Sequence, residues 1–190
     1  MASELQRRKV RGVFRAMDAN GDGFLEEADF SALTARWVEI RGAEKGSAEH
    51  QRLREIMMGW WKTLLAAAGD GPDDKITLDD VLRVVVRLRD MAEAVTATAS
   101  VMFEAVDEDG DGRISRGEYR RLIEAWNGRD TRTDGIFGRL DLDGDGYLSR
   151  EEFTELWTEF WAGDDADAPG TWVFGRFELP VSAAPGSAGG

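Results

Sequence analysis

The chain has 190 residues, with 24 Lys+Arg against 37 Asp+Glu and a formal charge of −13. It has no cysteine and one histidine, His50, which excludes disulfides, thiol catalysis, zinc–thiolate and iron–sulfur sites, and any His cluster or Cys–His pair. Such acidity argues against nucleic acid and anionic membrane surfaces as partners and toward hard cations or basic ones.

The first residues, MASELQRRKV, lack the apolar stretch of a secretory leader. No run of about 18 apolar residues follows, so no membrane span is predicted and a cytoplasmic protein is expected. Val10, Val13, Phe14 and Met17 recur at three- and four-residue spacing, which predicts a helix over 3–17. The basic run RRKVRGVFR is its solvated face rather than a membrane- or partner-binding helix. A polar segment, DANGDGFLEEAD, begins at Asp18, and Phe30, Leu33 and Trp37 then mark a helix over 27–40. Residues 41–47 read as a hinge. Leu53, Ile56, Met57, Trp60, Leu64 and Leu65 stripe a helix over 48–67. The segment GDGPDDKITLDD follows from Gly69, then a helix over 78–89 on Val81, Val84, Val85 and Leu88.

The plan then repeats. A helix over 91–106 carries Met102, Phe103 and Val106 and runs into DEDGDGRISRGE from Asp107. A helix over 116–127 carries Tyr119, Leu122, Ile123 and Trp126, and one over 131–140 carries Ile136, Phe137 and Leu140. The segment DLDGDGYLSREE follows from Asp141, then a helix over 150–161 with Phe153, Leu156, Trp157 and Phe160. The expected fold is all-α: four helix-loop-helix units in two pairs, residues 1–89 and 90–162, with an irregular tail over 163–190. Gly and Pro break helix repeatedly in that tail. Trp172, Val173, Phe174, Phe177 and Leu179 are apolar enough to dock on the body, whereas the residues from Ser182 onward are expected to be disordered.

Three of the four loops match D-x-[DN]-x-[DN]-G-x5-[DE], a spacing with a physical cause. A cation of calcium's size takes six to eight oxygens at about 2.3–2.6 Å. Residues 1, 3 and 5 of a tight turn aim side-chain oxygens at one centre, residue 6 turns with an unusual backbone angle, residue 7 adds its carbonyl and residue 12 closes the shell. In the first loop these posts are Asp18, Asn20, Asp22, the Phe24 carbonyl and Asp29. In the third loop they are Asp107, Asp109, Asp111, the Arg113 carbonyl and Glu118. In the fourth they are Asp141, Asp143, Asp145, the Tyr147 carbonyl and Glu152. Ser115 and Ser149 stand at position 9, where each could hold a water. Asp29 is one methylene shorter than the Glu of its counterparts, so Glu26 at position 9 is expected to compensate, in a six-fold shell that admits magnesium more readily. The second loop has Gly69 and Gly71 at positions 1 and 3 and Asp74 in place of the turning glycine, so it is expected to be empty. It should still pair with the first through Ile76 and Leu25, as Ile114 pairs with Leu148.

Twelve of the 37 carboxylates stand at positions 1, 3, 5, 9 or 12 of the three matching loops, and setting them apart leaves 25 acids against 24 bases. The acidity of the chain is therefore concentrated where the cations would sit, and three divalent ions would bring −13 to −7. Crowded carboxylates repel, so empty loops should be loose and metal should stabilise the fold.

These motifs resemble those of EF-hand proteins, and within them the four-hand sarcoplasmic calcium-binding proteins and bacterial calerythrin. The likeness rests on MDANGDGFLEEADF with its closing Asp, the degenerate second hand, two intact hands close together and the tail motif APGTWVFG. It implies a compact cytosolic calcium-binding protein that buffers or carries the ion. Six Met against seven Trp and nine Phe weigh toward a closed core and a buffer, rather than a sensor with a Met-rich groove. No nucleophile–base pair or phosphate loop stands out, so no enzyme is expected. Nothing in the sequence indicates a protein partner, and a monomer is expected.

Overall fold

The computed structural model describes residues 2–69, 74–88 and 92–175. Phe177, Leu179 and the segment from Ser182 lie outside the described residues. Within them the chain forms α1 (Glu4–Met17), α2 (Glu27–Arg41), α3 (Ala48–Ala68), α4 (Leu78–Leu88), α5 (Ala92–Val106), β1 (Arg113–Ser115), α6 (Arg116–Asn127), α7 (Asp134–Leu140), β2 (Tyr147–Ser149) and α8 (Arg150–Ala162), then a 3-10 turn at Pro169–Trp172. The fold is all-α with EF-hand architecture.

Local chemistry sets the helix ends. Ser3 caps α1, and Ser115 and Ser149 cap α6 and α8 in reciprocal boxes with Glu118 and Glu152. Helix α7 starts at 134 rather than at 131. Its first turn is organised by the Thr133 carbonyl, which accepts from the amides of Ile136 and Phe137, both at 2.9 Å. The β-branched Thr131 and Thr133 lie outside it, consistent with their weak helix preference.

Loops pair as the sequence predicts. Leu25 and Ile76 exchange amide hydrogen bonds of 2.8 and 3.0 Å in an isolated antiparallel bridge. Strands β1 and β2 pair antiparallel, with Ile114 opposite Leu148. All four of these apolar residues are buried, so each bridge is roofed by the core beneath it.

One hydrophobic cluster runs through all eight helices and closes on the tail. Its centre is aromatic. Trp157 packs against Trp60, Phe153, Trp161 and Phe174 with ring centroids 5.2–5.9 Å apart. Trp126 packs against Trp60 and Phe174 at 5.7 and 4.9 Å. The tail therefore docks as expected as far as Phe174, with Val173 buried and the buried Tyr119 hydroxyl donating to the Val173 carbonyl at 3.2 Å. Polar groups also lock the helices together. The Lys9 ammonium is buried and donates to the carbonyls of Glu159 and Gly163 at 3.2 and 3.0 Å. A cation at the carboxyl end of α8 is favoured by the helix dipole and satisfies carbonyls that have no partner within the helix.

Trp157 joins helices from both halves to the tail, so Trp157→Ala should lower the unfolding free energy by about 3–5 kcal/mol. Urea unfolding of the metal-free protein measures this.

Candidate metal centre

Each loop is a scaffold of side-chain carboxylates accepting from backbone amides. Asp107 receives Gly110 on Oδ1 at 2.8 Å and Gly112 on Oδ2 at 3.0 Å. Asp141 repeats this with Gly144 and Gly146 at the same distances, and Asp18 with Gly21 and Gly23. The third and fifth posts each accept from the amide two residues on. Asp109 and Asp111 accept from Asp111 and Arg113, Asp143 and Asp145 from Asp145 and Tyr147, and Asn20 and Asp22 from Asp22 and Phe24. These turns curl the chain so that the other oxygen lone pairs converge. Gly23, Gly112 and Gly146 take φ of 84°, 82° and 90°, a region that side chains disfavour.

The twelfth residue ties the two ends of each loop. In Glu118, Oε1 accepts from the Glu108 amide at 2.8 Å, and Oε2 accepts from the Ser115 amide at 2.8 Å and hydroxyl at 2.7 Å. In Glu152, Oε1 accepts from the Leu142 and Asp143 amides at 3.0 and 3.4 Å, and Oε2 from the amide and hydroxyl of Ser149 at 2.8 Å. Asp29, only 2% exposed, makes the same brace with the amides of Ala19 and Glu26 at 3.0 and 2.8 Å. Its shorter arm still spans both ends. Ser115 and Ser149 spend their hydroxyls on this brace.

The oxygens so presented converge. Carboxylate oxygens of Asp107, Asp109 and Glu118 lie within 4.8 Å of one another, and so do those of Asp141, Asp143 and Asp145. Asp111 has its other oxygen 3.4 Å from the Arg113 guanidinium. A donor set made wholly of carboxylate, amide and carbonyl oxygens fits a hard divalent cation and no soft one.

Of the second loop, residues 69 and 74–80 are described. Asp74, at the glycine post, adopts φ 50°, a left-handed conformation that Asp tolerates better than most residues. Asp80 at position 12 accepts from the Thr77 amide at 2.8 Å and hydroxyl at 2.5 Å and pairs with Arg83. Sequence reasoning passed over Asp80 because it looked for ligands, whereas the brace needs only a carboxylate at that spacing. It also missed a latch on the third loop. The Arg121 guanidinium meets Glu108 at 2.8 Å, and Arg41, from the end of α2, meets Glu108 at 3.5 Å and bonds the Ala105 carbonyl. Glu26, expected to help at the first centre, has its carboxylate paired with the ammonium of Lys75.

A family model for an EF-hand domain pair matches residues 96–158, and one for an EF hand matches residues 10–34. A sarcoplasmic calcium-binding protein alpha chain of Penaeus vannamei is 26% identical over 192 residues, covering 90% of this chain and 95% of that one. A beta chain from Penaeus sp. is 29% identical over 120 residues, and there the match covers 59% of this chain and 62% of the relative. Calerythrin of Saccharopolyspora erythraea is 27% identical over 135 residues, covering 66% of this chain and 74% of that one. A solved sarcoplasmic calcium-binding protein from amphioxus superposes with a TM-score of 0.69 at 17% identity, covering 93% of this chain and 99% of that one. By fold and loop, the chain is an EF-hand protein. Within that class it is similar to the sarcoplasmic calcium-binding proteins and calerythrin.

Burial pushes the pKa of Glu152 up, but the hydrogen bonds from Ser149, Leu142 and Asp143 together hold it below the ordinary carboxylate value. A carboxylate depressed in the folded state stabilises the fold above its unfolded pKa and loses that contribution as pH falls through the folded one. Acidifying the metal-free protein below the ordinary Glu value of 4.5 should therefore lower its urea midpoint. Glu152→Gln should flatten that decline.

Proposed function

We propose that this chain binds three calcium ions, one in each loop opening at Asp18, Asp107 and Asp141, and acts as a monomeric cytoplasmic calcium buffer rather than as an enzyme. The convergence of three carboxylates within 4.8 Å in both the third and the fourth loop carries the calcium reading. The ligands of the third site are Asp107, Asp109, Asp111, the Arg113 carbonyl and Glu118. Those of the fourth are Asp141, Asp143, Asp145, the Tyr147 carbonyl and Glu152. The first loop builds the same turns from Asp18, Asn20, Asp22 and the Phe24 carbonyl, closed by Asp29. The sarcoplasmic relatives reported above are named as calcium-binding proteins, which favours binding over catalysis. Among the described residues no helix is long and apolar enough to cross a membrane, which accords with a role in the cytoplasm.

The tail supports a buffer. A sensor must open an apolar groove when calcium binds. Here Phe174 fills the space between Trp126, Trp157, Phe160 and Trp161, with ring centroids 4.7–5.9 Å away. The groove is thus occupied by the chain's own aromatic residue. Calorimetric titration with calcium should give three equivalents, and calcium added to the magnesium form should produce little new dye-binding apolar surface. Fewer equivalents would overturn the three-site reading, and a large dye signal with calcium-dependent retention on an apolar resin would make the protein a sensor.

Magnesium competes chiefly at the first site. Asp29 closes the first loop from an arm one methylene shorter than that of Glu118 or Glu152, which makes bidentate closure harder and favours a six-fold shell. Asp29→Glu should raise the calcium-over-magnesium preference of the first site alone, by about tenfold, as read by titration with and without millimolar magnesium.

A further inference from the structure

The pairing of a filled loop with an empty one puts a cation beside the first site. The Leu25–Ile76 bridge is antiparallel, so its register sets Glu26, position 9 of the first loop, opposite Lys75, position 7 of the second. In the other pair the corresponding positions are Arg113 opposite Ser149 and Tyr147 opposite Ser115, and both serines serve the twelfth-residue brace. Glu26 has no such hydroxyl. Its carboxylate is paired with the Lys75 ammonium, which also lies 5.1 Å from the centroid of the Phe24 ring. Phe24 and Glu26 flank Leu25 on one face of the bridge strand, and the ammonium sits between them. Phe24 is the residue whose carbonyl is assigned to the ion.

We propose that Lys75 is an affinity-setting residue for the first site: delivered by the loop that carries no ion of its own, its ammonium holds Glu26 out of the coordination shell and keeps the first site weaker than its own carboxylates would make it. This rests on the first loop being a calcium site, as proposed above. Two physical effects act together. The pair is electrically neutral, so Glu26 adds no net attraction for the ion. It is also only partly exposed, at 29% for Glu26 and 40% for Lys75, so Glu26 must break a contact before it can coordinate. The degenerate hand thereby acts on its neighbour through a tethered positive charge as well as through its backbone.

Charge arithmetic makes the test sharp. Lys75→Met keeps the Glu26 carboxylate beside the site without the ammonium, Glu26→Gln keeps the ammonium without that carboxylate, and the double variant removes both charges. Calcium titration of the 15N-labelled full chain follows each site separately through the Gly23, Gly112 and Gly146 amides. Lys75→Met should move the Gly23 midpoint to about three- to tenfold lower calcium, as expected of a partly screened charge near a divalent ion. Glu26→Gln should move it in the opposite direction and the double variant should return it close to wild type, with Gly112 and Gly146 unmoved throughout. The Leu25 and Ile76 amides report whether the bridge persists, and Lys75→Gln replaces Lys75→Met if it does not. A Gly23 midpoint unchanged or raised by loss of the ammonium, with the bridge intact, overturns the inference alone. A wild-type Gly23 that never responds to calcium overturns the first site and the inference with it.

Discussion

The whole arrangement hangs on carboxylates that accept from backbone amides across a twelve-residue loop. The twelfth carboxylate bonds the amide at position 2 with one oxygen and that at position 9 with the other, as Glu118, Glu152 and Asp29 do. Because that residue sits in the first turn of the exiting helix, the brace fixes the helix against the end of the one before it. The same hydrogen bonds shape each loop around the centre at which its remaining oxygen lone pairs are aimed. Carboxylates are suited to this double duty, since each oxygen can accept from an amide and still offer a lone pair.

Helix packing builds on the braced loops. Each bridge residue, Leu25, Ile76, Ile114 and Leu148, drops into the core beneath its pair of loops and joins loop geometry to helix packing. The two halves then share one cluster rather than exposing a face each. Long-range polar ties reinforce this. Lys9 of α1 ends α8, and Arg36 of α2 donates to the carbonyls of Ala16 and Trp126 at 3.0 and 3.1 Å, at the ends of α1 and α6. Burial lowers the Arg36 pKa from its usual value without threatening its charge. A core closed by Phe174 and stitched by such contacts leaves little room to open a groove, and this packing supports the buffer role proposed above.

The second hand shows that a loop can lose its ligands and keep its place. Asp74 retains the left-handed turn, Asp80 retains the tie to position 9 and Ile76 retains the bridge. What it loses is the negative charge at its first and third posts, and Lys75 places a positive charge at its seventh. The described residues of the pair keep this correspondence, while their charges do not.

Much of this was legible in the residue order. Seven of the eight helices lie within a residue of the ranges that apolar spacing predicts, because helix periodicity and capping are local. The carboxylate turns of the three loops are equally local, since each is built within twelve consecutive residues. Helix α7 begins later than predicted because apolar spacing does not register where β-branched threonines stop supporting the turn. The sequence alone could not say where Glu26 points. Its partner is 49 positions away along the chain, and only the register of the Leu25–Ile76 bridge brings the Lys75 ammonium to it. The seat of Phe174 between helices α6 and α8, and the latch of Arg41 on Glu108, were hidden for the same reason. Spacing along a chain determines which atoms a loop can offer, but the charges and rings that face those atoms come from elements far away in sequence, and only packing decides which of them arrive.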